Sequence, residues 1–321
     1  MRTFDESLIR PDEIDHLGHM NVRFYMERAQ RAHRALTAKL GLAETPEARL
    51  VQTDSYTRYQ REQFEGSTLA VRGGVLEASP ERIRTYFELV NEARGEIAAT
   101  FILAASLIEP ATRAARPIPP AALAAAEAAA IALPEHGRPR TIDLKPPRTD
   151  VSFDDLARRL TEDEADPMSR RVERVIGPEE CDEHGFLADN QDMMFGFFRP
   201  PSPEQQKSFG PMTFTSLAGH RLGWASMETR NVRLAQPRAG DRLCSLGAEI
   251  GLHGKVRHSR RWVFNTDTGA LVALNDNVTS RSTSTRAARS RSRRRSATSW
   301  SVVTCRSSAD RSAAARPQRL Q

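Results

Sequence analysis

Residues 12–27 read DEIDHLGHMNVRFYME, crowding Asp15, His16 and His19 just ahead of an amphipathic run. Three kinds of chemistry could use them. An aspartate and a histidine within reach of one another can do acid–base or nucleophilic work. Two histidines three apart beside a carboxylate have the separation of metal ligands, as do Cys181 and His184 further on. A short polar residue before a helix can also simply cap it, and Asn21 is placed for that. A structural zinc takes four ligands, and neither cluster has a second His/Cys pair nearby in sequence, so no metal is expected. His16 reads as a solvated surface residue.

The elements that must position these groups follow from periodicity. Phe24, Met26, Ala29, Ala32, Leu36 and Leu40 recur at rough helical spacing, which predicts a helix capped by Asn21 and closed by Gly41. A short strand over 5–10 precedes it. Four alternating segments follow, at 50–60, 67–78, 82–92 and 96–109, with NEARGE as the hairpin turn between the last two.

The unit then recurs. RPDEIDHLGHM (10–20) aligns with GPEECDEHGFL (177–187) at a shift of 167, matching Pro11, Asp15 and Gly18 to Pro178, Asp182 and Gly185. At a shift of 174, Gly66, Leu69 and Gly73 match Gly240, Leu243 and Gly247, and Asn91 and Gly95 match Asn265 and Gly269. Repeats define architecture before anything else does. A strand at 171–176 opens the second unit. The expected fold is α+β: two units in tandem, each one helix with a long antiparallel meander, packed as a pseudo-dimer. The boundaries are 1–110 and 168–280, joined by an Ala/Pro-rich linker (111–167) with an Ala-rich helix at 119–134 and a short helix at 154–166.

The chain has 321 residues, 39% hydrophobic, a mean hydropathy of −0.54 and a pI near 9.6. Eleven arginines and one acid, Asp310, give residues 281–321 a charge of +10, so the +6 of the whole chain leaves −4 for residues 1–280. The Ser/Arg-rich tail cannot bury a core and is expected to be disordered. Such a tail could bind nucleic acid non-specifically, but no specific nucleic-acid partner is expected. The strand ALVALNDNV breaks off at Val278, and codons permitted for the next eight residues spell Leu-Ala-Leu-Asp-Leu-Asp-Thr-Arg when shifted. The tail therefore reads as a frameshifted C-terminus. No run of eighteen apolar residues occurs, the N-terminus reads as neither signal nor transit peptide, and the three cysteines are unpaired in sequence. A cytoplasmic protein without membrane contact is expected.

Asp15, Gly18, His19, Asn21 and Tyr25 in DHLGHMNVRFY resemble the Asp-x-x-Gly-His-(Val/Met)-Asn…Tyr signature of the 4-hydroxybenzoyl-CoA and acyl-ACP thioesterase group of hotdog proteins. The resemblance covers 1–110 well and 168–278 more weakly, and implies a tandem hotdog. It implies hydrolysis of an acyl-CoA or acyl-ACP thioester, with Asp15 as base or nucleophile, His19 and Asn21 as catalytic partners, and a carbonyl polarised at the helix start near 21–24. Gly18, Val22, Phe24 and Tyr25 would face the substrate, and Arg58, Arg61 and Arg72 would line a mouth for the CoA phosphates. Coenzyme A is then part of the substrate, and no separate cofactor is implied. The second unit has Phe186, Ala188 and Asp192 in place of His19, Asn21 and Tyr25, so its site is expected to be degenerate. DNQDMMFGFFRP (189–200) could line an acyl tunnel. A non-catalytic acyl-CoA binder and a hotdog dehydratase remain alternatives, as do monomer and homodimer.

Overall fold

The computed structural model describes residues 1–15, 18–162, 170–188, 213–215 and 221–283. DNQDMMFGFFRP and the tail beyond Thr283 lie outside the described residues. Strand β1 (Arg2–Leu8) leads through a 3-10 turn at Pro11–Glu13 into α1 (Val22–Lys39). Then come β2 (Arg49–Tyr59), β3 (Thr68–Ala78), β4 (Ile83–Asn91) and β5 (Glu96–Ile108). The connector carries α2 (Pro120–Ala128) and α3 (Phe153–Glu162). The second run has β6 (Arg170–Val175), β7 (Thr213–Thr215), β8 (Arg221–Arg233), β9 (Arg242–His253), β10 (Val256–Asn265) and β11 (Leu271–Thr283). No helix among the described residues is long and apolar enough to cross a membrane.

All strands join one antiparallel sheet, ordered β1-β3-β4-β5-β2-β8-β11-β10-β9-β6, with β7 on β8. The order is palindromic about the β2–β8 pairing, where Tyr56 lies opposite Arg230. The register repeats under the shift of 174 read from the sequence. Arg72 pairs Glu88 as Leu246 pairs Trp262, and Phe87 pairs Phe101 as Arg261 pairs Asn275.

Those pairs also show the two halves differing in polarity at several face positions. In the first half the face under α1 is apolar, with Leu69, Val71, Phe87, Leu89, Phe101 and Leu103 all fully buried. Its outer face carries Arg72, Glu88 and Thr100. In the second half Ser245, Arg261 and Asn275 stand where Val71, Phe87 and Phe101 would be, while Leu246, Trp262 and Leu274 form the outer face, packed under Leu156 of α3. α3 therefore packs its apolar stripe on the positions that Arg72, Glu88 and Thr100 hold in the first half.

The connector crosses the outer face at the seam. Glu228, 3% exposed, accepts from the Tyr56 hydroxyl at 3.0 Å and from the amides of Arg140, Thr141 and Ile142 at 3.1–3.3 Å. Arg230 makes a fork on Asp54 and also donates to the carbonyls of Asp143 and Lys145. Burial against Glu228 raises the Tyr56 hydroxyl far above its ordinary pKa, so it stays a donor.

Some expectations need correction. β1 runs from Arg2 to Leu8 rather than over 5–10, pairing β3 from Gly73 back to Thr68. The Ala-rich helix stops at Ala128, where Ile131 leaves to bond the Val75 carbonyl. β11 does not stop at Val278: it pairs β8 through Thr283. A backbone ladder needs N–H and C=O groups, which polar residues supply as well as apolar ones.

His33 on α1 is buried with Nδ1 3.0 Å from the Thr85 hydroxyl, and burial depresses its pKa to about 4. The unfolded chain therefore takes up a proton near pH 6.5 that the folded chain refuses until about pH 4. The lowered folded value makes this a loss of stability as pH falls through that window, of about 3 kcal/mol in full. Urea denaturation of wild type and His33→Leu should show that difference shrinking the wild-type stability between pH 7 and 4; parallel pH curves would refute it.

Candidate active site

Asp15 is placed by a closed loop. Ile14 and Met20 form a β-bridge, the Asp15 amide donates to the His19 carbonyl at 2.9 Å, and the Gly18 amide returns to the Asp15 carbonyl at 3.0 Å. Gly18 sits at φ +86, a left-handed conformation that a side chain would strain. The Asn21 amide donates to the Glu13 carbonyl at 2.9 Å, so the loop opens and closes against the first turn of α1. Although six residues separate Asp15 from Asn21, the hairpin bonds the Asp15 amide to His19, two residues before the cap.

His19 Nδ1 lies 3.3 Å from Asp15 Oδ2, the side chains being 20% and 16% exposed. Its Nε2 lies 3.7 Å from Oε1 of Glu62, which is 44% exposed. The imidazole thus stands between two carboxylates. Sequence reading missed Glu62, which sits on the loop after β2; its counterpart at the shift of 174 is Gln236.

Asn21 caps α1, its Oδ1 accepting from the Arg23 amide at 3.0 Å while its carbonyl accepts from the Phe24 amide. The Val22 amide has no partner among the described residues, and Val22 is 39% exposed. One N–H at the positive end of α1 is therefore open to a ligand oxygen. Phe24 and Tyr25 are buried. The Tyr25 hydroxyl donates to the Arg61 carbonyl at 3.1 Å, and its ring meets Tyr59 edge-on; burial raises its pKa. Together they form the floor beneath the loop.

Of the three arginines expected at a mouth, only Arg61 is near, through its backbone. Arg58 alternates with Tyr59 on β2 and so faces the other side of the sheet, donating to the His136 carbonyl at 2.9 Å. Arg72 also lies on the outer face, 2.9 Å from Glu88. Strand parity, not charge, decides where these side chains go. His16 lies outside the described residues. Cys181 bonds the Gly177 carbonyl, and His184 lies 3.6 Å from Glu183. A surface cavity of about 400 Å³ lined by Arg171, Arg174, Val175 and Arg242 is at the β6–β9 end of the sheet, away from Asp15.

The second Asp loop reproduces the backbone of the first. The Asp182 amide donates to Phe186, Gly185 returns to Asp182 at φ +77, and Ala188 donates to Glu180. Its charges differ. Asp182 accepts from the amides of His184 and Phe186 and from the guanidiniums of Arg49 and Arg113. Phe186, in the place of His19, is flanked by Arg113 at 4.6 Å and Arg238 at 4.3 Å. This carboxylate joins the halves.

With that geometry in view, the relatives are informative. Residues 9–126 match the family model of the thioesterase-like superfamily. That stretch is thus similar to a thioesterase-like module. The module contains Asp15, His19, Asn21 and Glu62. No curated protein matches the chain in sequence. Among solved structures, the 12:0-ACP thioesterase from Umbellularia californica superposes with a TM-score of 0.59 at 12% identity, over 86% of this chain and 92% of its own. An acyl-ACP thioesterase from Bacteroides thetaiotaomicron gives 0.57 at 11% identity, over 86% and 96%. At such identities the likeness is one of fold, and the fold around the module is a hotdog-like thioesterase fold with a large antiparallel sheet and few helices.

Removing the Asp182 carboxylate takes away the acceptor shared by Arg113, 6% exposed, and Arg49, which keeps its contact with Glu183. Asp182→Ala should lower stability by about 3–5 kcal/mol in urea titrations. A change below about 1 kcal/mol would show that this loop does not tie the halves.

Proposed function

We propose that the chain hydrolyses an acyl thioester of coenzyme A or of a carrier protein, using a single active centre at Asp15. The observation that carries this reading is the Asp15–His19 contact at the mouth of α1, inside the stretch that matches the thioesterase-like superfamily. The names of the structural neighbours, both acyl-ACP thioesterases, support the thioester class. In this reading the palindromic sheet is two hotdog domains packed as a pseudo-dimer, the second holding a degenerate loop. Coenzyme A enters only as part of the substrate, and the setting is cytoplasmic.

The thioester carbonyl oxygen takes a hydrogen bond from the Val22 amide, where the dipole of α1 also favours negative charge. Asp15 draws a proton from water as the water oxygen attacks the carbonyl carbon, or attacks that carbon itself to give an anhydride that water then opens. The tetrahedral oxyanion collapses, the C–S bond breaks, and the thiolate leaves to be protonated. His19 keeps the Asp15 carboxylate in line, and Glu62 holds the other edge of the imidazole.

Asp15→Asn keeps the shape of the loop and removes the basic oxygen. It should lower kcat on acyl-CoA substrates by about 10²–10⁴-fold with KM within a few-fold, and His19→Ala should cost less. Equal thiol release by wild type and Asp15→Asn would sink the reading. Turnover in ¹⁸O-water separates the two routes, because only the anhydride route can place label in Asp15.

A further inference from the structure

We infer that Arg28 and Glu13 are a positioning pair that locks the Asp15 loop to α1, the helix whose open amide faces the reaction; this rests on the thioester reading. Arg28 is 1% exposed. A guanidinium there must have its donors satisfied. Nη2 reaches Glu13 Oε2 at 2.7 Å and the Leu8 carbonyl at 3.2 Å, Nε reaches the Ser7 hydroxyl at 3.0 Å, and Nη1 bonds the Phe24 carbonyl at 3.2 Å. One side chain thus ties the end of β1, the turn before the loop and the first turns of α1.

Glu13 carries that tie to the chemistry. The same Oε2 accepts from the Arg10 amide at 3.2 Å, and the Glu13 carbonyl accepts from the Asn21 amide. Glu13 is two residues before Asp15 and bonds directly to the residue that caps α1.

The second loop shows which part of this is loop formation and which is positioning. Glu180 repeats Glu13: its carboxylate accepts from the Gly177 amide at 3.0 Å, and its carbonyl accepts from Ala188. Its guanidinium comes from Arg174 of β6, at 3.0 Å, the position that Ser7 occupies in the first half. Both loops therefore need an arginine on their glutamate, and either element can supply it. In the second half, where the aspartate is held by Arg49 and Arg113, the arginine ties the loop to its strand. In the first half it ties the loop to the helix that must stay in register with Asp15. A shift of about 1 Å between a reacting carboxylate and its oxyanion donor can cost about 10²-fold in rate.

The difference between the loops supplies the test. In the full-length chain, Ser7→Arg with Arg28→Met neutralises Glu13 from the strand, as Arg174 does for Glu180, and releases the tie to α1. Beside it stand Arg28→Lys, which keeps the charge but not the guanidinium fork, and Glu13→Gln. Folding is followed by urea titration, chemistry by kcat and KM, and the Asp15–His19 contact by the ring ¹⁵N shifts of His19, with Asp15→Asn as the uncoupled reference. We expect the Ser7→Arg/Arg28→Met chain to keep a near-wild-type urea midpoint while kcat drops about 10–100-fold at similar KM and the His19 shifts move toward the reference. Arg28→Lys should recover part of both. A double variant with wild-type kcat and wild-type His19 shifts overturns the inference. If wild type releases no thiol, the functional reading fails, and the His19 shifts still decide whether Arg28 positions the loop.

Discussion

Five residue pairs between β2 and β8, from Asp54–Val232 to Arg58–Glu228, make one sheet from what would otherwise be two. An open strand edge presents a row of N–H and C=O groups that must find partners, and here each half closes the other's edge. Once Tyr56 lies opposite Arg230, the outer-face side chains of both halves are neighbours. Glu228 then meets the Tyr56 hydroxyl and Arg230 meets Asp54. The connector is drawn across the seam because those groups still have capacity for its amides and carbonyls. At the far end of β2 the same pairing carries Arg49 to Asp182. Lose the ladder, and neither the strap nor the clasp has both of its partners.

The repeat was legible in the sequence because it is written in residues with backbone duties. Gly18 and Gly185, Gly66 and Gly240, and Gly95 and Gly269 all have positive φ, a demand that survives when side-chain contacts change. The change of polarity at Ser245, Arg261 and Asn275 was not legible. Alternation says that two sets of side chains face opposite ways, but not which set meets a helix. β5 shows the limit from the other side. Its run EIAATFILAASLI is buried on both faces, by α1 and by the connector, so it scarcely alternates. Thr279–Thr283 look like the end of order by composition, yet their backbone completes the ladder of β8.

At the site, Asp15, His19 and Asn21 could be named because one short loop brings them together through local hydrogen bonds. Glu62 and Arg28 could not. Their roles depend on how the loop after β2 and the second turn of α1 pack against that hairpin, which local spacing does not encode. Arg58 and Arg72 were drawn to the site by their charge alone. The parity of their strands sends them to the outer face, where His136 and Glu88 wait.

The two Asp loops are nearly one backbone with two electrostatic fates. Asp182 meets two amides and two guanidiniums, which together occupy the four acceptor positions a carboxylate has. Asp15 Oδ2 lies instead beside the His19 imidazole, at 3.3 Å. The shared fold explains why both carboxylates sit at the same turn. What sets the two apart is the charged partner: an imidazole stands beside Asp15, whereas a pair of arginines makes Asp182 a structural tie.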